Sequence, residues 1–326
     1  MMKIEFFRHN ISEKDIQNTV RALRGVFLTT GKITKDFEKM LAKYLGCPQV
    51  VGVTSCTGAM QLSLEALGIG QGDEVITTPL SFVATAHAIL QAGARPVFVD
   101  VEKETGNINA DLIEKAITKK TKAILPVHLY GQMVDMKKIS RIARQHKLKI
   151  IEDAAHCLEG SRDGVRPAQL SQATCFSFYA TKSITCGEGG AIALNDGPMA
   201  ENLKKMRLHG LERSAHNRYE KKFSSADVRV FGWKYNMSDI QAAILIGQIS
   251  RINKLWQRRE KICQKYERAF KNVSGIDFPK TLAGVKNARH LFTIWVKPSQ
   301  RSQIQERLRE KGIPTTVNYY PSIHMI

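Results

Sequence analysis

Three stretches of the chain set side chains able to do chemistry among residues small enough to admit a ligand. Lys182 lies in SFYATKSITCGEGG (177–190), flanked by small and hydroxylated residues and followed by Gly187, Gly189 and Gly190. Glycines let a backbone pass close to a bound molecule. Asp153 closes the apolar run KIIED and is followed by AAH, which sets His156 three residues on. TSCTGAM (54–60) is a small-residue turn opening a helix, and a helix start binds phosphate through free N–H groups and its dipole. A lysine amine able to form a Schiff base, a carboxylate to pair with a ring nitrogen and a cradle for phosphate are what pyridoxal 5'-phosphate (PLP) requires of a protein. Singly, each has a plainer reading: a surface lysine in a turn, a helix N-cap, a core histidine with its hydrogen bonds met, an ordinary capped helix. GIGQGD (68–73) looks like a dinucleotide fingerprint, but it follows a helix and precedes a strand, the reverse of the order that motif needs.

The elements that must hold these residues can be read from periodicity. In TKDFEKMLAKYL (34–45), Phe37, Met40, Leu41, Tyr44 and Leu45 recur at helical spacing. Residues 58–67 and 81–92 read as further helices, and VITTP (75–79) and PVFVD (96–100) as strands. Helix-like 110–118 precedes the apolar run KAILPV (122–127), and helix-like 136–146 precedes KIIED (149–153). Strands alternating with helices predict a mainly parallel sheet covered on both faces, with chemistry beyond the carboxyl ends of the strands. Asp100, His128 and Asp153 fall at such ends. After about residue 240 the pattern changes to a long charged helix (239–272), a strand HLFTIWV (290–296), a helix (300–311) and a second strand (314–320). The division expected is a large domain over 1–240 and a smaller α+β domain over 241–326, unfinished at YYPSIHMI.

At 326 residues the chain can bury a large core, and its 43% apolar content is ordinary for a soluble protein. No apolar run approaches the ~18–20 residues of a membrane span, and MMKIEFFRHN lacks the features of a secretory signal. The six cysteines are scattered without metal-ligand spacing, so no metal and a reduced, cytoplasmic setting are expected. The net charge of +19 fits first a solvated basic surface and second attraction to a polyanionic small molecule such as a nucleotide diphosphate. Nucleic acid ranks last: the sequence shows no helix-turn-helix, zinc-finger or RNA-recognition signature and no basic arm.

FLTTGKITKDFEKMLAKYLG (27–46), TSCTGAMQL, GDEVITTPLSFVATAHAI, ARPVFVDV, VHLYGQ, IEDAAH, FSFYATKSITCGEGG, LHGLERSA and GWKYNMSDIQAAI run in that order. Together they resemble the DegT/DnrJ/EryC1/StrS sugar aminotransferases. HLFTIWV and GIPTTVNYYPSIH resemble that family's small domain less specifically. The resemblance implies an α/β protein of the PLP-dependent transferase type I fold. That fold has a mainly parallel seven-stranded sheet with helices on both faces, plus the smaller α+β C-terminal domain. Relatives continue several tens of residues past the equivalent of Ile326, so this domain is expected to be shortened. The implied cofactor is PLP, carried by Lys182, which also shuttles the proton between cofactor and substrate. Asp153 pairs with the pyridine nitrogen, and His156, where many relatives have Gln, lies by the ring's phenolic oxygen. Phe82 stacks on the ring, while Thr57, Gly58 and Ser177 hold the phosphate. The family is a homodimer with shared active sites, in which the segment around Lys234 reaches the neighbour's phosphate. Lys234-Tyr235-Asn236 stands where many relatives have Asn-Tyr-Arg; a lysine still donates to phosphate as a point charge. This form, with TCGEGG, resembles the branch making UDP-4-amino-4-deoxy-L-arabinose for lipid A modification. His324 falls in a segment near the sugar site and is a candidate substrate contact.

The reaction so implied is a ping-pong transamination. An amino acid, L-glutamate, gives up its amino group, and a UDP- or dTDP-linked keto sugar receives it for cell-surface polysaccharide, lipid A or amino-sugar biosynthesis. A sugar dehydratase of the same family would carry His where Lys182 stands, and a desulfurase would need a mobile cysteine loop that none of the six cysteines provides. A catalytically impaired PLP-binding remnant or regulatory protein is the alternative of another class: the shortened end favours it, and the complete cofactor set opposes it.

Overall fold

The computed structural model describes residues 4–212 and 228–326; residues 213–215 of the matched stretch LHGLERSA lie outside the described residues. The strands are β1 (Gln49–Val53), β2 (Glu74–Thr77), β3 (Arg95–Phe98), β4 (Thr121–Ile124), β5 (Lys149–Asp153), β6 (Ser161–Arg162), β7 (Ala173–Ser177), β8 (Gly190–Leu194) and β9 (Val285–Lys286). Seven of them form one sheet in the order β1-β8-β7-β5-β4-β2-β3, and β6 pairs with β9. β8 runs antiparallel to β1 and β7, while the other neighbours in the large sheet are parallel. The mainly parallel seven-stranded sheet is thus the one expected.

Both faces of the sheet are covered, and alternation along the strands shows how. Val75, Ile151, Cys175 and Ile192 face one apolar cluster, while their neighbours Ile76, Ile150, Phe176 and Ala191 face the others, as the twofold period of a strand dictates. Helices α3 (Cys56–Ala66), α4 (Ala84–Gln91) and α6 (Gly197–Met206) fill the first side. On the second lie α2 (Lys32–Leu45), α5 (Met136–Gln145) and the first half of α7 (Asp239–Phe270). In α2 the four-residue spacing of Phe37, Leu41 and Leu45 makes the buried stripe, and Gly46 ends the helix at φ 74°, a left-handed cap that glycine adopts without strain. α7 opens with a capping box between Ser238 and Gln241. α1 (Glu13–Leu23) packs on α7 through an ion pair of the buried Asp15 with the half-buried Arg251, 2.7 Å, and α8 (Pro298–Glu310) is the last regular helix of the described residues.

Three expected elements are corrected. Residues 110–118 form two 3-10 turns, Ala110–Leu112 and Glu114–Ala116, rather than a helix. Asn109 bonds back to the N–H of Asp111 at 3.0 Å, and the amide and hydroxyl of Thr118 go to Thr121 and Glu74, so local polar bonds outcompete helix propagation. Over 290–296 and 314–320 no strand forms. A strand needs a neighbour for its N–H and C=O groups, and of these two segments only Trp295 enters a β-bridge among the described residues, an isolated antiparallel one to Asp277. Side chains anchor the first segment instead, with Phe292 packed among Tyr266, Phe270 and Phe278. No helix among the described residues is long and apolar enough to cross a membrane, and they hold no cluster of metal-ligating side chains.

Candidate active site

One edge of the sheet gathers the reactive residues. The carboxyl ends of β1, β5 and β7 meet the start of the reversed strand β8 there: Gly190 faces both Val53 and Ser177 across the ladders, and Asp153 lies level with Cys175. Gly190 is required for this convergence, because a Cβ on it would stand 2.4 Å from the carbonyl carbon of Ser55. β8 thereby presses directly on the turn that opens α3. Ser55 caps that helix, its Oγ accepting from the N–H of Gly58 at 3.0 Å. The free end of the first turn therefore points at the strand ends.

Asp153 is buried on the floor of this edge. Its Oδ2 accepts from the Thr85 hydroxyl at 2.8 Å, and its Oδ1 from the N–H of Ala155 at 3.1 Å. Since the single proton of the Thr85 hydroxyl goes to Asp153, the Ser81 hydroxyl, 2.9 Å from Thr85 Oγ1, donates to it in turn. The Cys56 thiol lies 3.9 Å from Oδ1. Burial first, and then the Asp153 charge, push this thiol well above its usual range, so it remains protonated. An ionised carboxylate has about four lone-pair sites; these contacts use three, one of them weakly.

Lys182 stands in the loop joining β7 to β8. The base of the loop is closed by Phe178 N–H to Gly189 O at 2.8 Å and Cys186 N–H to Phe178 O at 3.1 Å, and the N–H of Lys182 donates to Tyr179 O at 2.9 Å. From α7, the fully buried Gln248 clamps the loop on both sides of Thr185, accepting from its N–H at 3.0 Å and donating to its carbonyl at 2.7 Å. Ser183 donates to Glu159 at 3.3 Å, and Glu159 is paired with Arg259. Burial lowers the pKa of the Lys182 amine, against the pull of Cys56 and Asp153, and so favours the neutral, nucleophilic form.

His156 is buried beside this lysine. Its Nδ1 accepts from the N–H of Tyr130 at 3.3 Å, its Nε2 lies 3.4 Å from the Tyr319 hydroxyl, and its ring lies over His290 with centroids 4.4 Å apart. Burial, then His290, then Lys182 hold its pKa well below the usual histidine range, and burial and Lys182 do the same to His290. Both rings stay neutral.

The remaining sequence candidates fall around this centre. Thr57 and Gly58 lie in the first turn of α3, and Ser177 ends β7, accepting from the N–H of Tyr179 at 3.3 Å. Phe82 is 58% exposed, its ring 5.9 Å from that of Tyr319. The segment carrying Lys234 runs along the same edge: Thr54 N–H donates to Tyr235 O at 2.9 Å, and the Tyr235 hydroxyl bonds Gln61 of α3 at 3.0 Å. The Lys234 side chain itself is exposed. His324 is exposed in a 3-10 turn, 6.4 Å from the Phe98 ring.

The other two strand-end residues stand apart from this chemistry. Asp100 accepts from the next residue's N–H at 2.7 Å. His128 is sealed beneath the sheet, with Nδ1 accepting from Val134 N–H at 3.3 Å and Nε2 donating to Glu152 at 2.7 Å. Burial works against ionisation of Glu152, but bonds from His128, Ser171 and Thr174 outweigh it and lower its pKa. Sequence reasoning did not single out Thr85, Gln248, Tyr130, His290 or Tyr319. The readable signal was a polar residue in an otherwise apolar helix stretch, as in AAILIGQI (242–249) and VATAHAIL (83–90).

Residues 9–326 match the model of the DegT/DnrJ/EryC1/StrS aminotransferase family. The chain is 38% identical over 317 residues, 95% of its own length, to the spore coat polysaccharide biosynthesis protein SpsC of Bacillus subtilis, of which that covers 82%. The putative sugar aminotransferase Spr1654 of Streptococcus pneumoniae, solved in its PMP form, is 30% identical with a TM-score of 0.93, covering 99% of this chain and 87% of that one. PseC of Helicobacter pylori, an aminotransferase of pseudoaminic acid biosynthesis, is 30% identical with a TM-score of 0.91, covering 99% and 86%.

Proposed function

The chain belongs to the DegT/DnrJ/EryC1/StrS aminotransferase family, and from that premise we propose that it moves an amino group from L-glutamate to a keto sugar carried on a nucleotide, with PLP as cofactor. The observation that carries this reading is that the sheet edge brings together a half-buried lysine, held below its usual pKa by desolvation, and a buried carboxylate whose charge acts on it.

The residues present fit the cofactor. The Asp153 carboxylate keeps an acceptor site beyond its bonds to Thr85, Ala155 and Cys56, which suits a protonated ring nitrogen. The first turn of α3 offers the Thr57 hydroxyl and its free N–H groups to a phosphate, with the Ser177 hydroxyl as a further donor, while the N–H of Gly58 is taken up by Ser55. The partly exposed Phe82 supplies a flat face, and His156 a ring nitrogen for the cofactor's phenolic oxygen. When bound, the cofactor supplies an electron sink that lets the C–H bond beside a substrate nitrogen ionise. Lys182 would be its covalent attachment point. Freed from that attachment, the lysine Nζ would be the group to take a proton from the donor's Cα and to return one to the sugar carbon in the second half of the cycle. Burial, by favouring the neutral amine, serves both duties.

The same reading extends to assembly and setting. A second copy would complete the site, with the exposed Lys234 reaching its phosphate and His324 touching substrate. The chain divides into a large part over 1–240 and a small part over 241–326, joined by α7, and works in the cytoplasm.

The test is a visible absorption spectrum of the purified protein with added PLP, before and after L-glutamate. The expected result is a band from lysine-bound cofactor that glutamate bleaches and that Lys182→Ala lacks. A band untouched by glutamate or other amino acids would fit a catalytically impaired cofactor-binding relative. Absence of any band would refute the aminotransferase reading.

A further inference from the structure

We propose that Tyr130 is a positioning residue that fixes the tautomer of His156, making it a hydrogen-bond donor toward the crevice. The inference rests on the cofactor reading above for what His156 faces, but its geometry stands by itself. Tyr130 has φ 57° and ψ 2°, a left-handed backbone that a bulky residue rarely adopts and that marks sites where the surroundings enforce it. That conformation has an identifiable product: it turns the Tyr130 N–H onto Nδ1 of His156 at 3.3 Å.

An N–H can be received only by an unprotonated ring nitrogen. In a neutral imidazole the proton then resides on Nε2, and the ring is neutral because burial, and after it the neighbouring His290 and Lys182, disfavour its charged form. Nε2 is the atom turned toward the Tyr319 hydroxyl at 3.4 Å, so His156 presents an N–H to an oxygen acceptor: that hydroxyl, or the phenolic oxygen of the ring. It thereby offers the kind of donor that an amide NH2 offers where relatives carry Gln. The other bonding groups of Tyr130 hold the surrounding pieces in register. Its carbonyl accepts from His290 N–H at 3.2 Å, and its hydroxyl donates to the carbonyl of Asn318. One residue therefore ties the β5 end to the segments bearing both neighbours of the His156 ring.

The experiment is nitrogen NMR of histidine-labelled protein near neutral pH, with and without PLP, the His156 signals being assigned by their loss in His156→Gln. The expected spectrum shows Nδ1 unprotonated and Nε2 protonated. Tyr130→Gly, which tolerates φ 57°, should keep that pattern, and Tyr130→Val, which does not, should lose it. For the donor role, His156→Gln should bind PLP at least tenfold more tightly than His156→Leu. A protonated Nδ1 in the parent protein, an imidazolium, or equal PLP affinity of the two variants overturns the proposal. The tautomer is read without cofactor. A protein that binds no PLP would therefore remove the aminotransferase reading, while the nitrogen signals alone would still decide the tautomer.

Discussion

Lys182 and Asp153 could be picked out of the sequence only in combination, a small-residue loop and a strand end within one family pattern, since each alone has a plainer reading. Thr85 and Gln248 could not, because their partners lie 68 and 63 residues away along the chain. Which face of a helix meets a site is decided by packing of the whole sheet. His156 and His290 show how residue-scale electrostatics reach the stability of the fold. Unfolded, each titrates near 6.5; folded, each is held well below that value, by burial before any other cause. Between those two values the unfolded chain binds the extra protons, so stability is full above pH 6.5 and declines as the pH falls below it. The expected loss is about 1.4 kcal/mol per pH unit for each histidine. Urea midpoints of the cofactor-free protein between neutral pH and pH ~5.5 measure it, and His290→Gln should remove about half of the slope. The carboxylate of Glu152 acts in the same direction only below its own reference value of 4.5, outside that window.

At the scale of elements, the start of α3 is set by two devices of different kinds, a hydroxyl cap and a missing side chain. Removing the cap by Ser55→Ala loses one hydrogen bond and should cost about 1 kcal/mol. Gly190→Ala drives a Cβ to within 2.4 Å of backbone atoms of Ser55 that cannot rotate away, so the helix start or β8 has to shift, at a cost of about 1–3 kcal/mol. PLP titration separates the two: Gly190→Ala should weaken cofactor binding more than Ser55→Ala does, and equal losses would show that the close approach does not position the cradle. The helices and strands with strong periodicity were legible, α2 and β5 among them. Those that failed, 110–118, 290–296 and 314–320, carry suitable residue types but lack either a free backbone or a neighbouring strand, and neither lack is visible locally.

Over the whole molecule the excess of Lys and Arg gives +19, a field that raises the local concentration of anions and is screened by salt. If the acceptor is a sugar nucleotide, its KM should rise roughly severalfold between low and high ionic strength, with kcat little changed and the KM for glutamate moving less. Steady-state kinetics in a salt series decide it; a KM independent of salt would make the basic surface a bystander. The order of the sheet carries one more consequence, for how the protein is made. β1 is hydrogen-bonded in this sheet only to β8, which leaves the ribosome about 140 residues later, or roughly 7–28 s at ordinary synthesis rates. Until then the apolar edge of the nascent chain has no native cover, and such late, non-local pairing is slow to form. Biosynthesis of this enzyme should therefore lean on chaperones, least when translation is fast and most when it stalls before β8.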